Sequence, residues 1–251
     1  MSLGLALSGG GIKGVAHIAA IKAIEEHGLH PTHIAGTSAG AIIGALYAQG
    51  VSWQDMLQFV KEIAVFSIKR YARNKPGFID SRSFYKDFLP ILPHDSFEGL
   101  RIPLKITATE LIKGHSTVFD SGALIMPLLA SASFPGVFTP VSIGGVHYFD
   151  GGVINDFPVH LLASSCEDII GVYTNPLPAI DIGDIKHSFQ VLSRAYDINV
   201  SHRAVDKFDL CDILICPEEL SAYGTFSMKS IQQIFDIGYK AAYTELAHLK
   251  K

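Results

Sequence analysis

Hydrophobic and polar positions along the chain predict strands and helices that alternate. Short apolar runs bounded by glycine, proline or polar clusters are typical of buried strands, and longer segments with helical spacing that end at a glycine are typical of helices. The predicted strands cover residues 3–7, 32–35, 104–111, 116–119, 168–173 and 212–216, with a hairpin over 141–149. The predicted helices cover residues 15–27, 41–48, 53–64, 123–130, 186–208 and 228–248, with another after Asp80 and Ser81.

This alternation predicts a mostly parallel sheet that helices cover on both faces. A chain of 251 residues is long enough for one large core, and a composition of 48% hydrophobic and 18% charged residues is that of a folded globular protein. No internal repeat or low-complexity linker divides the sequence. We therefore expect one α/β domain over residues 1–251, with three α/β/α layers and a central, mostly parallel sheet.

Charge and cysteine content exclude several classes of function. A net charge of −4 gives no reason to expect a nucleic acid partner. The three cysteines, Cys166, Cys211 and Cys216, are too few and too scattered for a disulfide framework or a zinc site. No cluster of histidine, cysteine and carboxylate residues has metal-ligand spacing, so we expect no metal and no cofactor. Because no basic leader precedes the first predicted strand, the expected location is the cytoplasm.

A candidate nucleophile lies in the sequence Gly36-Thr37-Ser38-Ala39-Gly40, between a predicted strand and a predicted helix. In that context a G-x-S-x-G sequence is typical of a sharp strand-to-helix turn that exposes a catalytic serine. This suggests a serine hydrolase with Ser38 as the nucleophile. The alternative is a tight turn whose glycines are needed for packing and whose serine only caps the helix.

A glycine-rich loop follows the first predicted strand. Gly9, Gly11 and Gly14 fit the G-x-G-x-x-G pattern of dinucleotide-binding folds, which also need an acidic residue at the end of the second strand. Here that strand leads into Gly36 and Ser38, which disfavours a dinucleotide. Backbone amides at a helix N-terminus also bind a developing oxyanion, and this use fits a nearby serine nucleophile.

The serine needs a base, and the histidines after residue 150 are poor candidates. His160, His187, His202 and His248 lie in predicted helices or on charged helical faces rather than in a glycine-rich turn. Asp150 ends an apolar hairpin strand, is followed by Gly151 and Gly152, and has no basic neighbour in sequence. It is the candidate base. A simple Asp-Gly turn is the alternative.

Four motifs in order resemble those of the patatin-like phospholipases, over about Leu3 to Pro158. They are Gly9-Gly10-Gly11-Ile12-Lys13-Gly14, Gly36-Thr37-Ser38-Ala39-Gly40, Ser131-Ala132-Ser133-Phe134-Pro135-Gly136, and Asp150-Gly151-Gly152 with Asn155 and Pro158 beyond. The resemblance implies a patatin-like fold and hydrolysis of carboxylic or phospholipid esters by a Ser–Asp dyad, without histidine. Lys13 stands where the family most often carries arginine, so the charge is kept but a bidentate contact is lost.

The resemblance also implies roles for individual residues. Ser38 would be the nucleophile and Asp150 the base. The implied oxyanion donors are the backbone amides of Gly10, Gly11 and Ile12. The motif glycines are Gly9, Gly14, Gly36, Gly40, Gly151 and Gly152. A soluble esterase or thioesterase with the same mechanism, or a lipid-binding regulator without turnover, remains an alternative.

A basic segment lies between Lys61 and Arg82, where there are six basic and two acidic residues. Phe66, Tyr71 and Phe78 are interleaved with the cations. Such a segment suits an anionic lipid surface, and a solvated loop that closes over the site is the alternative. The candidate contacts for a peripheral association with the membrane are Lys69, Arg70, Arg73 and Lys75.

Overall fold

The computed structural model describes residues 2–63, 65, 67–225 and 228–248. Its strands are β1 (Leu3–Leu7), β2 (His33–Thr37), β3 (Leu104–Glu110), β4 (Ser116–Phe119), β5 (Val141–Ile143), β6 (Val146–Asp150), β7 (Asp168–Val172) and β8 (Ile213–Ile215). Its helices are α1 (Val15–Glu26), α2 (Ala39–Gln49), α3 (Trp53–Glu62), α4 (Tyr85–Phe88), α5 (Ile125–Ser131), α6 (Gly152–Asn155), α7 (Ser188–Val205) and α8 (Ile231–Leu246).

The strands form one sheet in the order β5-β6-β3-β2-β1-β7-β8, with β4 paired to β3 outside this path. Five neighbouring strands are parallel, namely β3, β2, β1, β7 and β8. The pairs β3–β4, β3–β6 and β5–β6, at one side of the sheet, are antiparallel. The sheet is therefore mostly parallel, as the sequence predicts.

Side chains of β1 show how both faces of the sheet are covered. Leu5 and Leu7 join the larger hydrophobic cluster, to which α1, α2, α5 and α8 contribute. Ala6, which points to the opposite face, joins a second cluster with Phe157 and with Ala204 of α7. Because the strand is buried on both faces, it reads as a continuous apolar run. The predicted three-layer arrangement is confirmed.

The strand register places the two candidate catalytic residues, Ser38 and Asp150, at the same end of the sheet. Thr37, the last residue of β2, pairs with Thr107 of β3. The next residue of β3, Ala108, pairs with Asp150, the last residue of β6. Ser38 and Asp150 therefore lie on either side of β3. Since β1 and β2 are parallel and in register, the loop after β1 also begins at this edge.

Several predicted elements differ in detail from those observed. The helix expected after Asp80 is a 3-10 turn over Ser81–Phe84 followed by the single turn of α4. The terminal helix begins only at Ile231, because Met228–Ser230 form a 3-10 turn. The predicted end of the third helix, Ala64, lies outside the described residues. No helix in the described ranges has the length and apolar character needed to cross a membrane.

Candidate active site

Ser38 lies in the sharp turn between β2 and α2, with φ 53° and ψ −120°. A non-glycine residue at positive φ is strained, and such strain persists only where the surroundings fix it. The flanking glycines make the turn possible. A side chain at Gly36 would lie 2.6 Å from the carbonyl oxygen of Gly40, and one at Gly40 would overlap the carbonyl oxygens of Leu7 and Ser8.

Ser38 and Asp150 are joined by a hydrogen bond. The Ser38 hydroxyl donates to Asp150 Oδ2 at 2.7 Å, and the Gly152 amide donates to Oδ1 at 2.7 Å. Asp150 is only 2% exposed. Burial raises the pKa of its carboxyl to about 7, although the hydrogen bonds from Gly152 and Ser38 oppose the rise. This carboxylate is therefore a stronger base than an aspartate in water.

The segment that begins at Ser131 holds both members of this pair. The Ser38 amide donates to Ser131 Oγ at 2.8 Å, and the Asp150 amide donates to the Ser133 carbonyl at 3.1 Å. The Ser133 hydroxyl in turn donates to the Leu129 carbonyl at 2.6 Å, at the end of α5. The sequence singled out this motif by resemblance alone. Two serines spaced by one residue after a helix give no sign that one contacts the nucleophile.

Replacing Ser131 by alanine should destabilise the protein by about 1–3 kcal/mol, because the buried Ser38 amide loses its acceptor. The free energy of unfolding in urea measures this loss. Ser116→Ala is the matched control, since the buried Ser116 hydroxyl has no hydrogen-bond partner among the described residues. Equal stability of Ser131→Ala and Ser116→Ala would show that the Ser131 hydroxyl does not support the turn.

Two of the three predicted oxyanion donors are free in the described part of the chain. Gly10 has φ 152° and Gly11 has φ 57°, and neither amide donates a hydrogen bond within the described residues. The Ile12 amide differs, because it donates to the Thr225 carbonyl at 2.9 Å. Ile12 is therefore not available to an oxyanion in this arrangement. The sequence could not reveal this contact, which joins residues more than 200 positions apart.

The remaining motif glycines connect the loop, the turn and the base. The Gly9 amide donates to the Asp156 carbonyl at 3.1 Å, and the Gly151 amide donates to the Ser131 carbonyl at 3.3 Å. Gly14 lies against Ala39 at the start of α2. The glycine-rich loop, the serine turn and the Asp-Gly-Gly turn thus form one packed unit.

None of the histidines in the described ranges contacts Ser38 or Asp150, and none lines the cavity beside them. The four considered as bases, His160, His187, His202 and His248, are exposed, and His160 lies in a short 3-10 turn rather than the predicted helix. His17 is buried in α1, where its Nε2 lies 2.8 Å from the Ser8 carbonyl. Burial lowers the pKa of His17 to about 4, so it is neutral.

Ser38 and Asp150 open into a cavity of about 450 Å³, a size typical of ligand sites. One part of its wall is apolar and comes from α2, α3, α4 and α5. Representative residues there are Ile42, Ile43, Phe59, Val60, Phe88 and Leu129. Polar side chains also line the cavity, namely those of Lys13, Asp156, Asn175, Tyr196 and Asp197. The lining suits a molecule that carries both apolar and polar groups.

Residues 5–163 match the sequence model of the family described as patatin-like phospholipase. This range contains all four sequence motifs, and its two catalytic candidates are hydrogen-bonded to each other. The chain belongs to the patatin-like phospholipase family.

One relative of this patatin-like chain is an uncharacterized NTE family protein of Mycobacterium tuberculosis. The two are 31% identical over 168 residues, which cover 66% of this chain and 46% of the relative. A lysophospholipase, nte1 of Emericella nidulans, is 29% identical over 190 residues, which are 73% of this chain and 12% of the relative. The chain therefore spans less than half the length of these relatives. The crystal structure of VipD from Legionella pneumophila has the same fold, with a TM-score of 0.57 and 13% identity over 98% of this chain and 67% of VipD.

The basic segment is partly exposed and partly tied to the protein. Lys69, Arg73 and Lys75 are exposed, although Lys75 pairs with Asp80. Exposed apolar side chains accompany them, namely Ile68, Tyr71 and Phe78. Phe66, also predicted to contribute, lies outside the described residues.

Arg70 differs from the prediction, because tertiary contacts hold its guanidinium. Nη1 donates to Asp87 Oδ2 at 2.8 Å and to the Ser83 carbonyl at 3.1 Å, and the guanidinium lies 4.0 Å from the Phe84 ring centre. The side chain is 13% exposed. Arg70 therefore anchors the segment to the neighbouring turn and is a poor candidate for lipid contact.

Proposed function

We propose that the protein is a serine acyl hydrolase that cleaves carboxylic esters of lipids through Ser38, Asp150 and an acyl-enzyme. The hydrogen bond of 2.7 Å between Ser38 Oγ and Asp150 Oδ2 carries this proposal. Membership of the patatin-like phospholipases and the relative named as a lysophospholipase support a lipid substrate. The cavity beside Ser38 supports the same class, since its apolar residues suit an acyl chain and its polar residues an alcohol or headgroup.

In the first half of the reaction, Asp150 accepts the Ser38 hydroxyl proton as Oγ bonds to the acyl carbon. The carbonyl oxygen becomes an oxyanion, and we assign its stabilisation to the amides of Gly10 and Gly11. Both residues line the cavity beside Ser38, and neither amide donates a hydrogen bond within the described residues. The intermediate then collapses, the bond to the leaving oxygen breaks, and the alcohol takes the proton from Asp150. The acyl group remains on Ser38.

In the second half, water attacks the acyl-enzyme with Asp150 again as the base. The Gly10 and Gly11 amides hold the second oxyanion as they held the first. Collapse returns the proton to Ser38 and releases the fatty acid. One carboxylate serves both halves because its raised pKa lets it both accept and return a proton near neutral pH.

A fluorophosphonate probe tests the nucleophile directly. We expect phosphonylation of Ser38 with loss of fluoride, located by mass spectrometry of the labelled peptide. Labelling of any other residue, or of none, would overturn the proposal. A panel containing a lysophospholipid, a diacyl phospholipid, a soluble short-chain ester and an acyl thioester then separates a lipase from an esterase or thioesterase.

We further propose that the exposed part of the basic segment contacts an anionic lipid surface. Cations beside exposed Ile68 and Phe78 combine electrostatic attraction with apolar insertion, and each cation contributes about 1 kcal/mol near such a surface. Ile63 and Val65, at the start of the segment, line the cavity, which would place the site next to the lipid.

Changing Lys69, Arg73 and Lys75 to glutamine should weaken binding to anionic vesicles by about tenfold or more and reduce its dependence on salt. Hydrolysis of a soluble short-chain ester should be retained. Vesicle sedimentation at low and physiological salt measures the binding. Arg70→Gln is the contrasting variant, for which we expect lower thermal stability because Asp87 loses its partner. Unchanged binding by the triple variant would assign the segment to a solvated loop.

A further inference from the structure

A second buried carboxylate, Asp156, lies between the glycine-rich loop and the turn that carries Asp150. It directly follows α6, six positions after Asp150, and is 5% exposed. Its carbonyl accepts the Gly9 amide at 3.1 Å, and its Oδ2 accepts Asn175 Nδ2 at 3.1 Å. Its Oδ1 occupies the space that a Cβ atom at Gly9 would need, and a Cβ atom at Gly152 would lie 2.9 Å from the same oxygen. The carboxylate therefore fills the gap between the two glycine turns.

The charges around Asp156 come from several elements. The titratable or charged groups that face Asp156 or Asp150 are Lys13, Tyr173, Tyr196 and Lys207, and Asp197 faces Lys13. Burial raises the pKa of Asp156 to about 6, and the Asn175 hydrogen bond and the charges of Lys13 and Lys207 oppose that rise. These three neighbours favour the ionised form of Asp156. Its negative charge adds to the effect of burial on Asp150.

We infer that Asp156 is a positioning residue that fixes the glycine-rich loop against the Asp150 turn and, by its charge, makes Asp150 a stronger base. This inference rests on the proposed function. Asp156 lines the cavity but makes no hydrogen bond to Ser38 within the described residues, and it acts through Asp150 and the loop. A purely structural aspartate at this position would hold the two turns together without affecting proton transfer.

The pH profile separates these two roles. Only ionised Asp150 can accept the Ser38 proton, so kcat/KM of the wild type should rise with pH through about 7. Removing the charge of Asp156 stabilises ionised Asp150, which lowers its pKa and moves the acid limb to lower pH. For Asp156→Asn we expect a shift of about 1 pH unit. Because the base is then weaker, the plateau of kcat should fall about 3- to 10-fold with little change in KM.

The experiment compares wild type, Asp156→Asn and Asp236→Asn. Asp236→Asn removes one exposed negative charge from α8, so it controls for net charge and should leave the profile unchanged. If Asp156→Asn does not fold, Asp156→Ser is a second neutral variant that retains an acceptor for Asn175. An unchanged acid limb with lower activity at every pH would overturn the inference, and so would failure of both neutral variants to fold.

A readout that needs no turnover keeps this inference distinct from the proposed function. Titration of the Asp150 carboxyl by carbon-13 NMR should give a lower pKa in Asp156→Asn than in the wild type. If the wild type hydrolyses no ester and its Ser38 is not labelled, the proposed function fails while the NMR comparison still stands. Equal Asp150 pKa values in the two proteins would overturn the inference alone.

Discussion

Ser38→Ala and Asp150→Asn should each abolish acyl-ester hydrolysis, with kcat reduced by a factor on the order of 10⁴ to 10⁶. The first variant lacks the oxygen that forms the acyl-enzyme. The second replaces the proton acceptor by an amide that donates to Ser38 or accepts only weakly. Because the two residues act as one unit, the double variant should lose little more than either single variant. Steady-state kinetics with the best ester of the panel measures these losses.

Thermal melts show whether such losses come from chemistry or from unfolding. The pKa of Asp150 is 3.8 in the unfolded chain and about 7 in the folded protein, so the folded state binds one more proton between these pH values. The contribution of this carboxyl to the free energy of unfolding therefore falls as the pH rises from 3.8 to about 7. At pH 8, Asp150→Asn should therefore melt at or above the temperature of the wild type. His160→Ala is the control for a histidine base and should remain active. If His160→Ala were inactive and Asp150→Asn active, the results would contradict the dyad.

Patterns confined to a few residues predicted the fold and the serine turn well. The strand before Ser38 and the helix after it follow from local apolar spacing, and the close approaches at Gly36 and Gly40 explain why the pattern requires glycine. The pairing of Ser38 with Asp150 does not follow from any local pattern. It depends on the register of three strands. Local features made Asp150 a candidate base, but only the resemblance to a family favoured it over a simple Asp-Gly turn.

Local sequence patterns do not predict contacts between distant parts of the chain. Counting charges predicted Arg70 as a lipid contact, but a count cannot show that Asp87 and Phe84 hold its guanidinium. Similarly, the motif predicts Ile12 as an oxyanion donor, but its amide donates to the carbonyl of the distant Thr225. The role of Asp156 has no sign in the sequence, because an isolated aspartate before Phe157 has no pattern that indicates burial.

Gly11→Ala tests whether the glycine-rich loop stabilises the oxyanion. A methyl group at this position would lie 2.5 Å from Thr225 Cγ2 and would also overlap the Thr225 carbonyl oxygen. The loop or the Thr225 segment must then move, and a displacement of about 1 Å in a positioned catalytic group can cost about 100-fold in rate. Losing one oxyanion donor costs on the order of 100- to 1000-fold. We therefore expect kcat to fall by about 100-fold or more.

Gly28→Ala is the matched control for this variant. Gly28 has φ 71°, close to the 57° of Gly11, but no atom lies within 4 Å of a side chain placed there. Both variants carry the cost of alanine in the left-handed region, about 1–2 kcal/mol, and only Gly11→Ala disturbs the site. We expect Gly28→Ala to lose melting temperature by this shared cost alone and to keep full activity. Gly11→Ala should lose more melting temperature, because its methyl group also overlaps Thr225. Should Gly11→Ala keep wild-type kcat, or lose activity only in proportion to the folded fraction, the glycine would be structural and the Gly10 and Gly11 amides would not stabilise the oxyanion.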